Sequence, residues 1–487
     1  MSKRTRRQFL EDSMFAAAAA VAAGSGAGAL AADPDKKPSK SPGEKLGVAV
    51  VGCGGRGSSH LGAFSSRPDT EVLYVVEVDE NIAKNKAGFV EGKQGRAPKI
   101  VADMRDAFDD PAVDIVTTAT PNHWHSLVSI WAIQAGKDVY VEKPVSHNVS
   151  EGRRVVEAAR KYNRICQTGT QCRSNTGMQD AMKYAHDGKL GKIKVARGLC
   201  YKRRPSIGAR GDYPIPEGVN YDLWLGPAPL APLTRPRFHY DWHWQWPYGN
   251  GDLGNQGIHQ MDLCRWALGV DRLSDWVLSY GGRLAYEDAG DTANTQMIIH
   301  GYGDAALVFE VRGLATEQYM GAGVGIIVEG TDGYLVMSDY DKGAAFDTDG
   351  QKVQEFKGGG DHFGNFLAAV RSRKHEDLAA DIEQGHLSSA LCHLGNISYR
   401  LGEQLSVPAV KERLKGLNTP EQVLASYERF TEHLADNKLD LEKTRLAWGV
   451  NLAVDAANEK FVGNSQADAM LTRNYRAPFI VPPAGQV

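Results

Sequence analysis

Residues 46–57 read Leu46-Gly47-Val48-Ala49-Val50-Val51-Gly52-Cys53-Gly54-Gly55-Arg56-Gly57, a valine-rich apolar run that breaks into a glycine-rich turn. An apolar run of this length with no polar alternation reads as a strand covered on both faces, the pattern of a parallel sheet. A helical pattern follows at Ser58–Ser65, so the segment reads strand, turn, helix. Working outward, strands are expected at Glu71–Val78, Asp114–Ala119 and Asp138–Val141, with a weaker one at Lys99–Val101 and a closing one at Arg164–Gly169. Helices fit between them at Asn122–Ala135 and Ser150–Lys161, the latter opened by the capping pattern Asn148-x-x-Glu151. This alternation predicts an α/β unit in which crossover helices join parallel strands.

Beyond about Gln171 the order loosens into helix, long aromatic loop, helix, and then extended segments from Asp275 to Phe346. That order predicts an α+β partner domain with a large open, mainly antiparallel sheet. Helical periodicity returns at His362–Ser372 and Glu383–Leu401, and the tail after Leu417 is partly helical, with a proline-rich end from Tyr475. The expected division is 1–31 signal peptide, 32–44 flexible leader, 45–170 first domain, 171–416 second domain and 417–487 C-terminal extension.

The 487 residues carry 56 basic and 59 acidic side chains, a formal charge of −3, with no long run of either sign. Nothing in that balance favours nucleic acid or an anionic membrane, and a small, weakly charged molecule is the expected partner. The six cysteines are scattered, without the paired spacing of a zinc or disulfide framework, and read as buried thiols. No metal site is expected, because His123, His125, His239 and His243 lack a completing set of Cys or carboxylate ligands. At the N-terminus, Thr5-Arg6-Arg7-Gln8-Phe9-Leu10 is a twin-arginine pattern. The Ala/Gly-rich stretch Met14–Leu30 follows and ends in Ala29-Leu30-Ala31, a small-x-small cleavage pattern. These features predict export of the folded chain by the twin-arginine machinery to the periplasm or another extracytoplasmic space, without stable membrane insertion; Asp33–Glu44 reads as a flexible leader.

Gly52, Gly54 and Gly57 satisfy G-x-G-x-x-G directly after a strand and before a helix. In that setting the first glycine permits the turn, the second lets backbone approach a pyrophosphate and the third allows close helix packing. Glu77 ends the second strand 25 residues after Gly52, where a carboxylate meets ribose hydroxyls; this favours NAD, with NADP possible because Arg56 is near, and Asp79 is the rival residue. Thr120-Pro121-Asn122-His123-Trp124-His125 and Glu142-Lys143-Pro144 each follow a strand, the edge at which open α/β sheets bind ligands.

These motifs, in this order, resemble the glucose-fructose oxidoreductase / inositol dehydrogenase family, also called Gfo/Idh/MocA, over residues 45–401. The resemblance implies an N-terminal Rossmann domain whose cofactor set is Gly52, Gly54, Gly55, Arg56, Gly57, Glu77, Thr120, Pro121, Asn122, His125, Glu142 and Lys143. It implies that Lys143 is an active-site residue, turned into the cleft by a cis bond to Pro144. Hydroxyl oxidation needs a proton acceptor beside the carbinol oxygen, and a shielded lysine near a cationic ring suits that task. His259 is the second candidate for proton transfer. Asp262, one turn later on the same helix face, is expected to orient it. The family pattern has aspartate four residues before the histidine; this chain has Asn255 there, so that carboxylate does not carry over.

Tyr221–Tyr248 concentrates aromatic residues whose faces match pyranose C–H faces. The expected substrate-binding residues are Asn255, Asp262, Trp242, Trp244, His243 and Arg237. The favoured reading is an exported NAD(P)-dependent oxidoreductase acting on a sugar, glycoside or polyol, with tightly bound cofactor. The alternatives are an NAD-dependent glycosidase working by transient oxidation and elimination, and a non-catalytic sugar-binding protein. A homodimer or homotetramer is expected by analogy with the family.

Overall fold

The structure is a computed structural model that describes residues 44–417 and 419–487; the twin-arginine pattern, the apolar stretch to Leu30 and the leader before Glu44 lie outside the described residues. The first sheet has six strands, β1 (Leu46–Val51), β2 (Thr70–Val76), β3 (Lys99–Val101), β4 (Ile115–Thr118), β5 (Asp138–Val141) and β6 (Cys166–Thr168). They run parallel in the order β3-β2-β1-β4-β5-β6, the doubly wound order. Every residue of β1 is buried, as its apolar run requires.

Helices α1 (Gly57–Ser65), α2 (Glu80–Gln94), α3 (Met104–Phe108), α4 (Asn122–Gln134) and α5 (Val149–Lys161) cover the two faces. The Asn148 side chain accepts from the Glu151 amide at 3.0 Å and so caps α5 as its pattern predicts. Helix α2 was not legible in the pattern because it buries only Ala83, Ala87 and Val90, too thin an apolar stripe to set a period.

The second sheet contains 12 strands among the described residues. In chain order they are β7 (Val195–Tyr201), β8 (Trp276–Gly282), β9 (Thr295–Tyr302), β10 (Ala305–Arg312), β11 (Val324–Glu329), β12 (Tyr334–Met337), β13 (Lys342–Phe346), β14 (Lys352–Lys357), β15 (Glu403–Ser406), β16 (Arg445–Trp448), β17 (Leu452–Asp455) and β18 (Lys460–Phe461). Its pairs are antiparallel except β7 with β10. Strand β7 lies centrally yet has no clean apolar alternation, because Arg197 and Gly198 interrupt it. The structure resolves the conflict by pairing the buried Arg197 with Glu310 at 3.0 Å and Glu329 at 2.9 Å.

One face of this sheet packs on α6 (Thr176–His186), α7 (Gly257–Ala267) and α8 (Ile382–Arg400) in the largest apolar core. Helix α8 also packs on α5 of the first domain, joining the two cores. On the outer face, α9 (Glu421–Asp436) covers Tyr280, Met297, Ile299 and Val308. The residues after α9 return to both domains: β16 and β17 pair with β8, and Phe479, Val481 and Val487 enter the core of the first sheet. No described helix is long and apolar enough to cross a membrane.

Candidate active site

The carboxyl ends of β1 to β5 open on a cavity of about 450 Å³, a volume in the range of small-molecule and cofactor clefts. Gly52 has φ +77°, and a Cβ there would meet the Thr120 amide nitrogen at 2.7 Å. At Gly57 a Cβ would lie 1.9 Å from the Gly52 carbonyl oxygen, so this glycine lets α1 approach β1. Gly54 and Gly55 line the cavity, with nothing within 4 Å of where a Cβ would stand. The wall runs from Ala102 and Met104 after β3 to Lys143 after β5, four strand spacings or about 19 Å. An elongated trough with bare backbone at the start of a helix fits a dinucleotide and its diphosphate.

Glu77 lines this trough, but its carboxylate also accepts from the amides of Cys53 at 2.8 Å, Val78 at 2.9 Å and Asp79 at 3.2 Å. It therefore ties the glycine turn to the end of β2, and burial pushes its carboxyl up from the ordinary range. Asp79 is committed elsewhere, capping α2 through the amides of Asn81 and Ile82 and meeting His239 Nε2 at 2.9 Å.

Glu142 is the electrostatic centre of the floor. It accepts from Arg56 Nε at 2.7 Å, meets His60 Nε2 at 3.1 Å and accepts from the Lys143 amide at 3.2 Å. Burial alone would raise its carboxyl, yet the His60 hydrogen bond and the Arg56 and Lys143 charges hold it well below the usual range. The Lys143–Pro144 bond is cis. Lys143 Nζ donates to the Asn255 carbonyl at 2.7 Å. Burial lowers the lysine from its ordinary value, Glu142 raises it in part and Arg56 lowers it again. His125 bridges the two loops, its ring nitrogens 2.6 Å from the Pro144 carbonyl and 2.8 Å from that of Thr120. Thr120, Pro121 and Asn122 complete this wall, Asn122 donating to Asn250 at 2.9 Å.

The second-domain residues divide. Asn255, Trp242 and His243 line the cavity, the last two as stacked rings with centroids 3.6 Å apart. Trp244 turns the other way and packs with Ile207 and Ala289 beneath the Arg204 guanidinium. Arg237 points outward in an ion pair with Asp241. Asp262 does not orient His259: its carboxylate is taken by Arg173 at 2.7 and 2.8 Å and by Ser388 at 2.7 Å. Helical spacing put both residues on one face, but the buried Arg173 outcompetes a neutral ring for the charge. His259 is itself buried, its ring 5.2 Å from that of Tyr340 and its Nδ1 without a hydrogen-bond partner among the described residues. Burial lowers its pKa to about 3, which keeps it neutral.

A carboxylate does stand near Asn255: Asp252 accepts from the Asn255 side chain at 3.4 Å and raises Lys143, but its oxygens are held by Arg204 at 2.7 Å. Asp252 stands three residues before Asn255, and no spacing in the sequence marks it out from the other carboxylates. Leu223, Trp224, His239, Tyr240 and Phe479 also line the cavity. No group of three or more metal-ligating side chains converges among the described residues.

Residues 46–170 match the profile of an oxidoreductase family with an NAD-binding Rossmann fold, and residues 209–434 match that of an oxidoreductase family's C-terminal alpha/beta domain. Levoglucosan dehydrogenase of Pseudarthrobacter phenanthrenivorans is 26% identical over 241 residues, 48% of this chain and 54% of the relative. A glycosyl hydrolase family 109 protein of Saccharopolyspora erythraea is 28% identical over 159 residues, 32% of this chain and 35% of the relative. The match thus spans little more than half of the one relative and about a third of the other. Among solved structures, the WlbA dehydrogenase of Bordetella pertussis, in complex with NADH and UDP-GlcNAcA, superposes with a TM-score of 0.55 at 20% identity, covering 73% of this chain and 97% of that one. That likeness supports the fold.

Proposed function

The chain belongs to the Gfo/Idh/MocA oxidoreductase family, and from that premise we propose that it is a nicotinamide-dependent oxidoreductase acting on a hydroxyl of a sugar, glycoside or polyol. The observation that carries this reading is Lys143: its amine stands in the same cavity as the glycine turn, fixed by the Asn255 carbonyl and lowered by burial. When bound, the nicotinamide supplies the hydride acceptor or donor. Gly52, Gly54, Gly55 and Arg56 would hold its diphosphate. Glu77 favours NAD, since a 2′-phosphate beside it would meet like charge.

The residues of the chain handle the proton. The Lys143 amine takes it from the carbinol oxygen during oxidation and returns it in reduction, while Asp252 and Glu142 keep an ammonium tolerable in a buried site. His259 is not among the residues that line the cavity and burial keeps it neutral, so the proton is left to Lys143. Trp242 and His243 offer a flat face to a ring. Export by the twin-arginine route and self-association through the outer face of the second sheet, beside Tyr334 and Phe346, complete the reading.

The test uses purified protein lacking the first 31 residues. Released nucleotide is identified after denaturation, and a glycoside panel is followed by both nicotinamide absorbance and aglycone release. Bound NAD with a keto-sugar product supports the reading. Aglycone release without net absorbance change replaces it with the glycosidase, and no affinity for NAD ends it.

A further inference from the structure

We propose that residues 471–487 are a built-in latch of the dinucleotide cavity, in which Phe479 forms part of the apolar wall and Arg476 fastens the roof, so that bound nucleotide is retained between turnovers. This rests on the nucleotide-binding reading above.

The roof is the segment 217–243 of the second domain. It is stapled to the first domain along the cavity's rim: the Asn220 amide donates to the Val78 carbonyl at 2.8 Å and the Glu80 amide to the Gly218 carbonyl at 3.0 Å. Trp124 Nε1 donates to the Leu223 carbonyl at 3.0 Å, and His239 reaches Asp79 at 2.9 Å. With Leu223, Trp224, Tyr240 and Trp242 in the cavity lining, this segment covers one side of any long ligand held there.

The C-terminal segment locks it from behind. Arg476 donates to the Gly226 carbonyl at 3.0 Å, the Asp222 carboxylate at 2.6 Å and the Asp222 carbonyl at 2.8 Å, three bonds onto one turn of the roof. The same guanidinium lies over the Phe479 ring at 4.9 Å. Phe479 packs edge-on against Trp124 at 5.4 Å and beside Trp131 at 6.3 Å. Together with Met104 these rings make one end of the trough apolar and aromatic, a surface suited to a flat purine base. The segment is anchored on both sides. Upstream, the Ser150 amide donates to the Leu471 carbonyl at 2.9 Å and Arg473 to the Pro247 carbonyl at 2.9 Å. Downstream, Val481 and Val487 are buried in the first domain's core. A wall and a fastener held this way add to the barrier for release without adding a contact at the reacting end.

The experiment loads full-length mature protein with NADH, chases with excess NAD⁺ and follows loss of protein-bound NADH fluorescence. Phe479→Leu, which keeps an apolar side chain in the core, and Arg476→Lys, which keeps the charge, are compared with the parent. We expect release at least ten-fold faster in both variants, with nucleotide-free proteins that still unfold in one cooperative transition within a few degrees of the parent. Release at the parental rate in both variants overturns the latch while leaving the nucleotide reading intact. If the parent binds neither NADH nor NAD⁺, the nucleotide reading itself fails.

Discussion

The amine of Lys143 lies 2.7 Å from the carbonyl oxygen of Asn255, so the lysine that follows the fifth strand of one domain is positioned by the backbone of the other. A backbone acceptor holds one N–H of the lysine and takes no proton from it, which leaves one hydrogen and a lone pair on the amine, or two hydrogens on the ammonium, to exchange a proton with substrate. Lys143→Met is expected to lower kcat by about 10² to 10⁴ while leaving NAD affinity within a few fold. Steady-state kinetics paired with an NADH fluorescence titration separates the two effects.

Glycines 54 and 57 make a contrasting pair. A methyl at Gly54 enters open cavity, so Gly54→Ala is expected to leave thermal stability unchanged and weaken NAD binding ten-fold or more. A methyl at Gly57 strikes the Gly52 carbonyl, and Gly57→Ala is expected to cost about 2 kcal/mol of stability. Urea melts without ligand and titrations with it give opposite orders for the two variants.

Glu142 joins Arg56, His60 and Lys143 from a buried position, and removing its charge strands theirs. Glu142→Gln is expected to destabilise the protein by about 3 kcal/mol at pH 7. Because the folded carboxyl is held below its unfolded value, its stabilisation is present above the unfolded pKa and fades as pH falls through the folded one. The difference between parent and variant, measured by denaturant melts, should therefore shrink toward strongly acid pH.

His123, His300 and His393 are buried imidazoles with pKa lowered to about 3. Unfolding returns each to an ordinary value near 6.5, so the unfolded chain binds protons that the folded one refuses. Stability is thus full above pH 6.5 and declines as pH falls toward 3, each ring contributing up to about 1.4 kcal/mol per pH unit. Melting temperature measured from pH 7.5 to 4.5 should fall steadily; a flat profile would refute the assignment.

The aromatic loop offers a direct test of the sugar reading. Trp242→Ala is expected to raise KM for the best substrate about ten-fold with little change in kcat, whereas Trp244→Ala should act through stability, since its ring packs away from the cavity. Kinetics and melts on the same two variants distinguish these outcomes.

The parts legible in the sequence are those whose cause is local. The strand before Gly52, the turn itself and the Asn148 cap depend on residues within a few positions of one another, and they stand where the pattern puts them. The parts that were not legible depend on distant partners. Arg197 disguises a central strand until Glu310 and Glu329 are placed beside it. Asp262 looks like a partner for His259 until Arg173 arrives from another element. Trp242 and Trp244 are two residues apart in one 3₁₀ turn, and only the fold decides which of them faces the cavity.

The packing of Phe479, Val481 and Val487 into the first domain's core bears on how the chain comes to be folded. A ribosome delivers residues 46–170 long before these three, so the first sheet spends the synthesis of the entire second domain with part of its apolar surface uncovered. Its completion is a late, long-range event of high contact order. Maturation is thereby coupled to whole-chain synthesis: a copy interrupted anywhere before residue 479 lacks one part of the wall of its own nucleotide cavity and presents the uncovered surface to chaperones and proteases instead.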